Sequence, residues 1–189
     1  MVKLMIILGS VREGRVGLPI AEWVRDRAEA DGRFEVDFVD LKELALPLMA
    51  EPNHPRLRQY TMPHTFAWSE RVDAADAFIM AFPEYNHSYS PAIKNAIDYL
   101  NAEWDLKPVG FVNWGGASSG TRSQAALRPV VTSLGMVLTH RMVEISGPQS
   151  QVDDDGRFIA DEKQNGVLTR ELDELFALDR ALRPLREAR

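Results

Sequence analysis

Apolar residues in this chain cluster in short strand-like runs separated by amphipathic stretches. Runs over 3–8, 34–39, 77–82, 108–113 and 137–145 predict strands. Continuous apolarity over Ala77-Phe78-Ile79-Met80-Ala81-Phe82 predicts a strand buried on both faces. Apolar positions three and four apart predict helices over 18–30, 64–74, 91–101, 121–134 and 166–183. Ile20, Trp23, Val24 and Ala28 form the stripe of the first helix. Leu168, Leu172, Leu175, Phe176 and Leu182 form that of the last. Strands that alternate with helices predict a parallel sheet covered on both faces, an α/β architecture.

Two stretches interrupt this rhythm. Residues 46–63 hold Pro47, Pro52, Pro55 and Pro63 and predict a loop. A loop of that length either covers a ligand, reaches a second subunit or simply connects. Residues 146–165 contain Asp153-Asp154-Asp155-Gly156. A calcium loop needs ligands at alternate positions and a Glu at the twelfth, and none develops, so an Asp-Gly turn is expected. Pro129 falls inside the 121–134 helix and is expected to kink or shorten it.

The chemistry lies in three strand-to-helix loops, where open α/β sheets bind ligands. The first is Gly9-Ser10-Val11-Arg12-Glu13-Gly14-Arg15-Val16-Gly17. A Gly- and Ser-containing loop running into a helix offers free N–H groups and the positive end of the helix dipole. Arg12 and Arg15 add forked donors suited to phosphate. The loop has neither a Walker ending nor the spacing of a dinucleotide fingerprint, so it suggests a monophosphate. The second loop, Pro83-Glu84-Tyr85-Asn86-His87-Ser88-Tyr89-Ser90-Pro91, carries amides, an aromatic ring and hydroxyls that suit a flat heterocycle. The third, Trp114-Gly115-Gly116-Ala117-Ser118-Ser119-Gly120-Thr121, lets backbone approach a ligand. Together they predict a mononucleotide site.

The Gly-Ser-x-Arg start of the first loop, the Pro-Glu-Tyr-Asn run followed by Lys94-Asn95-Ala96-Ile97-Asp98, and Gly115-Gly116 followed by Arg122, Gln124 and Leu127-Arg128 resemble the NAD(P)H-dependent FMN reductase family. The resemblance spans nearly the whole chain. It implies a flavodoxin-like three-layer α/β/α sandwich with a five-stranded parallel sheet of order 2-1-3-4-5. It also implies bound FMN, NADPH or NADH as co-substrate, and ping-pong two-electron transfer to a small-molecule electron acceptor such as a flavin, quinone or azo compound. The implied cofactor-binding residues are Ser10, Arg12, Arg15, Val16, Gly17, Pro83, Glu84, Tyr85, Asn86, Ser88, Gly115, Gly116 and Ala117. No protein side chain is expected to be catalytic, because the cofactor carries the hydride chemistry. Arg15 and Gly17 stand where many members have a small hydroxyl residue and an Asn. Arg15 either joins Arg12 on the phosphate or meets the 2′-phosphate of NADPH or a second subunit. The Glu84 side chain is expected to point away from the ring, since a carboxylate disfavours an anionic reduced flavin. The resemblance further implies a homodimer or homotetramer. Trp68, Tyr89, Tyr99 and Trp104 are expected around the site, some of them buried against the second copy, unless all four pack in their own chain.

Composition narrows the alternatives. The 189 residues suit one domain, 1–189, with a substantial core. A formal net charge of −6 argues against nucleic acid as a partner. The absence of cysteine removes disulfides, thiolate metal sites and cysteine nucleophiles. His54, His64, His87 and His140 include no i, i+4 pair, so no helical zinc site is expected, and no G-x-S-x-G marks a hydrolase. No apolar stretch reaches the roughly 20 residues that span a bilayer, and the first strand begins too early for a signal peptide, so a cytoplasmic protein is expected. The competing function is a flavodoxin-type electron carrier. Such a carrier keeps positive charge away from the flavin, whereas Arg12 and Arg15 would do the reverse.

Overall fold

A computed structural model of the chain describes residues 1–188. Its strands are β1 (Val2–Leu8), β2 (Phe34–Asp40), β3 (Ala77–Pro83), β4 (Pro108–Gly115), β5 (Val137–Leu138) and β6 (Val143–Ser146). They form one parallel sheet of order β2-β1-β3-β4-β5, with β6 also paired to β4. The helices are α1 (Gly17–Asp31), α2 (Leu41–Leu44), α3 (Pro63–Asp73), α4 (Pro91–Asp98), α5 (Thr121–Ser133) and α6 (Glu162–Glu187). This is the expected flavodoxin-like order.

The period-two geometry of a strand sends alternate side chains of the central strands into two separate cores. Met5, Ile7, Phe78, Met80 and Phe82 pack with α3, α4 and α5. Leu4, Ile6, Leu8, Ile79 and Ala81 pack with Ile20 and Val24 of α1 and Leu168, Leu172 and Leu175 of α6. Both faces are buried, so β3 is apolar at every position and β1 from Leu4 onward, only Lys3 at its start being exposed, and each large side chain contributes roughly 1.5–3 kcal/mol.

The fifth strand departs from expectation. One run over 137–145 was expected, but β5 leaves the sheet after Leu138 and β6 joins it at Val143. Two carboxylates on α6 cause the break. Glu174 accepts the His140 and Arg141 N–H groups at 2.6 and 3.1 Å and turns that segment outward. Glu171 is fully buried against β4, where it accepts from the Phe111 N–H and lies 3.5 Å from Thr139 Oγ1. Gly110 makes room for it, since a Cβ there would lie 2.4 Å from Glu171 Oε1. The carboxyl thus fills the place of the missing strand residues.

Other expectations are corrected by local chemistry. Pro129 neither ends nor much shortens α5, which runs to Ser133. Pro129 and Ala125 are exposed, so the carbonyl deprived of its helical donor faces water. Helix α6 is longer than predicted because Asp161 and Gln164 form a reciprocal capping box at its start. Trp68, Tyr99 and Trp104 are at most 1% exposed and belong to their own chain's core. Their polar atoms donate internally, to the carbonyls of Ala96, Pro47 and Ile97 respectively. They are therefore not residues awaiting a second copy, while Tyr89 is half-buried against the same core.

The Pro-rich segment is a pinned strap. Asn95 holds Pro47 and Met49, Glu51 accepts from Thr61 and Met62, and Tyr60 donates to buried Glu103 at 2.7 Å. The Asp-Gly turn forms as expected: the Gly156 N–H meets the Asp153 carbonyl at 3.0 Å and Val152 bridges Phe158. Among the described residues no helix is long and apolar enough to cross a membrane.

Glu171 generates a pH prediction. Burial pushes its carboxyl well above the ordinary range, outweighing the Phe111 hydrogen bond, and Glu174 adds to the rise. A raised folded-state pKa means that the fold is supported fully below the unfolded value and loses that support as pH rises towards the folded one. Glu171→Gln stays neutral. Its melting temperature relative to the parent should therefore be higher at pH 8 than at pH 5. A difference independent of pH would show that Glu171 titrates as it does in the open chain.

Candidate functional site

The carboxyl ends of β1, β3, β4 and β6 enclose a cavity of about 320 Å³, within the range of small-molecule sites. Its walls are the three predicted loops and one that the sequence did not single out. From the first come Ser10, Arg12, Arg15 and Val16; from the second, Pro83, Glu84 and Tyr85; from the third, Gly115 and Gly116. Trp114, Pro148 and Gln149 were missed, as were Glu13 and Gly14 of the first loop. Pro148 and Gln149 follow β6, and the signal for them was available: a loop at the carboxyl end of the fifth strand occupies the same end of the sheet. Gly17, Asn86, Ser88 and Ala117 do not line the cavity. None of residues 46–63 does either, so the strap does not cover it.

The first loop is arranged to receive an anion. The N-cap of α1 is Val16, which supplies no capping side chain, and no acidic residue stands in the first turn. The first-turn N–H groups are therefore open. Arg12 is exposed and has no partner among the described residues. Glu13 is drawn aside to Lys42 at 2.8 Å. Arg15 lines the cavity, yet its guanidinium forks onto the Asp40 carboxylate and also donates to the Ser10 carbonyl. Gly17 is buried because the Trp114 ring packs directly on it; a Cβ would lie 2.5 Å from that ring.

The second loop is tighter than its sequence suggested. Tyr85 and Ser88 exchange backbone hydrogen bonds of 2.8 and 3.0 Å around Asn86 and His87, both at positive φ. This is a two-residue turn of the primed type, in which Asn is well tolerated. The turn points Asn86 and His87 outward, and both are exposed. Glu84 faces the third loop, accepting from Ser118 Oγ at 2.7 Å, from the Arg122 N–H at 3.2 Å and from the Arg122 guanidinium at 3.4 Å. Burial raises its pKa, but the Ser118 and Arg122 hydrogen bonds and the Arg122 charge prevail and hold it below the ordinary carboxylate range. It is thus an anion committed to joining two loops.

Gly115 and Gly116 of the third loop differ. Neither has positive φ, so neither is required by backbone conformation. A Cβ on Gly115 would meet Gly120 N at 2.9 Å, whereas one on Gly116 would meet nothing within 4 Å. Gly115 is needed by the chain itself; Gly116 leaves open the space that the cavity occupies. These residues fit a phosphorylated flat cofactor. Open N–H groups and one uncompensated cation would suit a phosphate, and backbone with Tyr85 lines the rest. Gly115→Ala should therefore destabilise the protein by about 1–3 kcal/mol, while Gly116→Ala should stay within about 0.5 kcal/mol of the parent in denaturant titration. Equal losses would remove the distinction.

Comparison with known proteins agrees with this geometry. Residues 2–148 match the family model described as NADPH-dependent FMN reductase. An NAD(P)H-dependent FMN reductase from Schizosaccharomyces pombe is 34% identical over 152 residues, covering 79% of this chain and 76% of the relative. An FMN-dependent NADPH-azoreductase from Staphylococcus haemolyticus is 26% identical, covering 84% and 85% respectively. The solved structure of FerB, an NAD(P)H:(acceptor) oxidoreductase from Paracoccus denitrificans, superposes with a TM-score of 0.77 at 23% identity, over 96% of this chain and 99% of that one, and shares its fold. On the family match and the S. pombe relative, the chain belongs to the NADPH-dependent FMN reductase family.

Proposed function

We propose that the cavity at the carboxyl end of the sheet is the FMN site of an FMN-dependent NAD(P)H oxidoreductase, the activity of the family. The observation that carries the assignment is the uncapped start of α1 beside the unpartnered Arg12, in a cavity whose other wall is glycine backbone and Tyr85. Arg12, the Ser10 hydroxyl and the N–H groups leading through Val16 into Gly17 would hold the phosphate. Backbone of Pro83, Glu84, Tyr85, Gly115 and Gly116 would border the ring system, with Asn86, Ser88 and Ala117 behind that lining. Bound FMN would supply two-electron hydride chemistry, with NAD(P)H as donor. The cavity's own residues offer no acid or base that this chemistry needs: Glu84 is occupied by Ser118 and Arg122.

The acceptor would be a small molecule taking the donor's place in a ping-pong cycle; a quinone, an azo compound or free flavin fits such an opening. A cytoplasmic setting, where NAD(P)H is supplied, suits this reading. A pure electron carrier is disfavoured because Arg12 brings uncompensated positive charge to the cavity. The direct test is whether the purified protein is yellow and whether NADPH bleaches it without oxygen. Arg12→Ala should lower FMN affinity roughly tenfold to a hundredfold, the loss of one charge-assisted contact of ~1.5–3 kcal/mol, and leave apoprotein melting unchanged. Unaltered affinity would sink the role of Arg12.

A homodimer, or a tetramer built from two, is proposed on different residues from those first expected. Leu48 is 83% exposed on the pinned strap and shares an apolar groove with the exposed Val11 of the first loop. A rigid apolar surface beside a site is the kind that a second copy covers. Sedimentation at micromolar concentration should give a dimer or tetramer, and Leu48→Glu should shift it towards monomer. A monomeric parent with full activity would remove the proposal.

A further inference from the structure

Arg15 stands in the phosphate loop, but its guanidinium is held elsewhere. Nη1 donates to Asp40 Oδ1 at 2.7 Å and Nη2 to Asp40 Oδ2, a two-pronged pair. Both side chains are nearly buried, 8% and 10% exposed. Asp40 is itself fixed: it ends β2 and caps α2 through the Lys42 N–H at 2.9 Å. From this anchored position Arg15 Nη1 also donates to the Ser10 carbonyl oxygen. That contact orients a peptide plane. In a trans peptide the carbonyl and the next N–H point in opposite directions. With the Ser10 carbonyl bound to Arg15, the Val11 N–H is turned away from the Arg15–Asp40 pair. A carbonyl oxygen left free in this loop would instead present negative charge to an incoming anion.

We propose that Arg15 is a positioning residue: clamped by Asp40, it holds the Ser10 carbonyl aside and presets the loop for phosphate, rather than binding phosphate itself. The proposal rests on the FMN reading above. It assigns a function to Asp40, which does not line the cavity. It also leaves Arg12 as the loop's uncompensated charge, because Asp40 offsets Arg15 and Lys42 offsets Glu13.

The two roles for Arg15 predict opposite effects of Asp40→Asn. Asparagine caps a helix as well as aspartate does, so α2 keeps its cap. If Arg15 were a phosphate ligand restrained by Asp40, releasing it would leave FMN binding unchanged or tighter. If Arg15 positions the loop, FMN affinity should fall roughly tenfold, the cost of about one hydrogen bond in the cradle. Riboflavin, which lacks the phosphate, should bind as it does to the parent. Arg15→Lys keeps the charge but loses the fork, and should reproduce the selective FMN loss. Both ligands are titrated by flavin fluorescence against parent and variants. Selective loss for FMN in both variants supports the proposal. It is overturned by unchanged or tighter FMN binding in Asp40→Asn, by an FMN loss matched by an equal riboflavin loss, or by an Arg15→Lys variant that binds FMN like the parent. A parent chain that binds neither flavin overturns the FMN reading itself, an outcome recognised before any variant is measured.

Discussion

The hydrogen bond from the buried Ser90 hydroxyl to the Gly9 carbonyl, 2.6 Å long, holds the site together. Gly9 begins the first loop and Ser90 lies at the end of the second, so one bond across 81 positions of sequence sets the distance between them. Ser90 also caps α4. The same seam continues across the strand tips: Gly9 N–H to the Ala81 carbonyl, Glu84 N–H to that of Trp114, and Gly147 N–H to that of Gly115. Each loop is tied to its neighbour before any ligand arrives. A rigid scaffold of this kind limits the ordering that binding must bring about.

Charge at the site is set by pairing rather than by count. The chain carries a formal −6, yet the cavity retains an uncompensated cation because the nearby carboxylates are engaged. Asp40 holds Arg15, Glu13 reaches Lys42, and Glu84 joins the third loop through Ser118 and Arg122. Glu84 serves two purposes in this way. It locks Ser118 in place, and its negative charge is balanced by Arg122 rather than directed at a ligand.

The last helix shapes the site from a distance. Glu171 and Glu174 interrupt the fifth strand, and the chain rejoins the sheet as β6. β6 then delivers Pro148 and Gln149 to the cavity. Burying a carboxyl is costly unless it is hydrogen-bonded. Here the Phe111 N–H offsets part of that cost, and the broken strand gives the acid its space.

The sequence by itself determined the sheet and the three loops, and its family resemblance implied the strand order. A parallel strand buried on both faces must be apolar throughout, and a ligand loop at its end must be polar or glycine-rich, so both are written locally in the chain. That Ser10, Arg12, Tyr85 and Gly116 stand in loops at the strand ends, where they line the cavity, was legible for that reason. Tertiary structure decided how those groups are spent. Arg12 and Arg15 look alike in sequence, but only Arg15 meets Asp40, 25 positions away. Gly115 and Gly116 look alike, but only Gly115 lies against Gly120. Trp68, Tyr99 and Trp104 looked like rim residues because an aromatic side chain does not reveal where its polar atom will find a partner. The strand over 137–145 looked continuous because its interruption comes from carboxylates more than thirty residues later. Composition and periodicity report what a residue can do. Its partner is chosen by contacts between segments distant in sequence, and these exist only once the chain has folded.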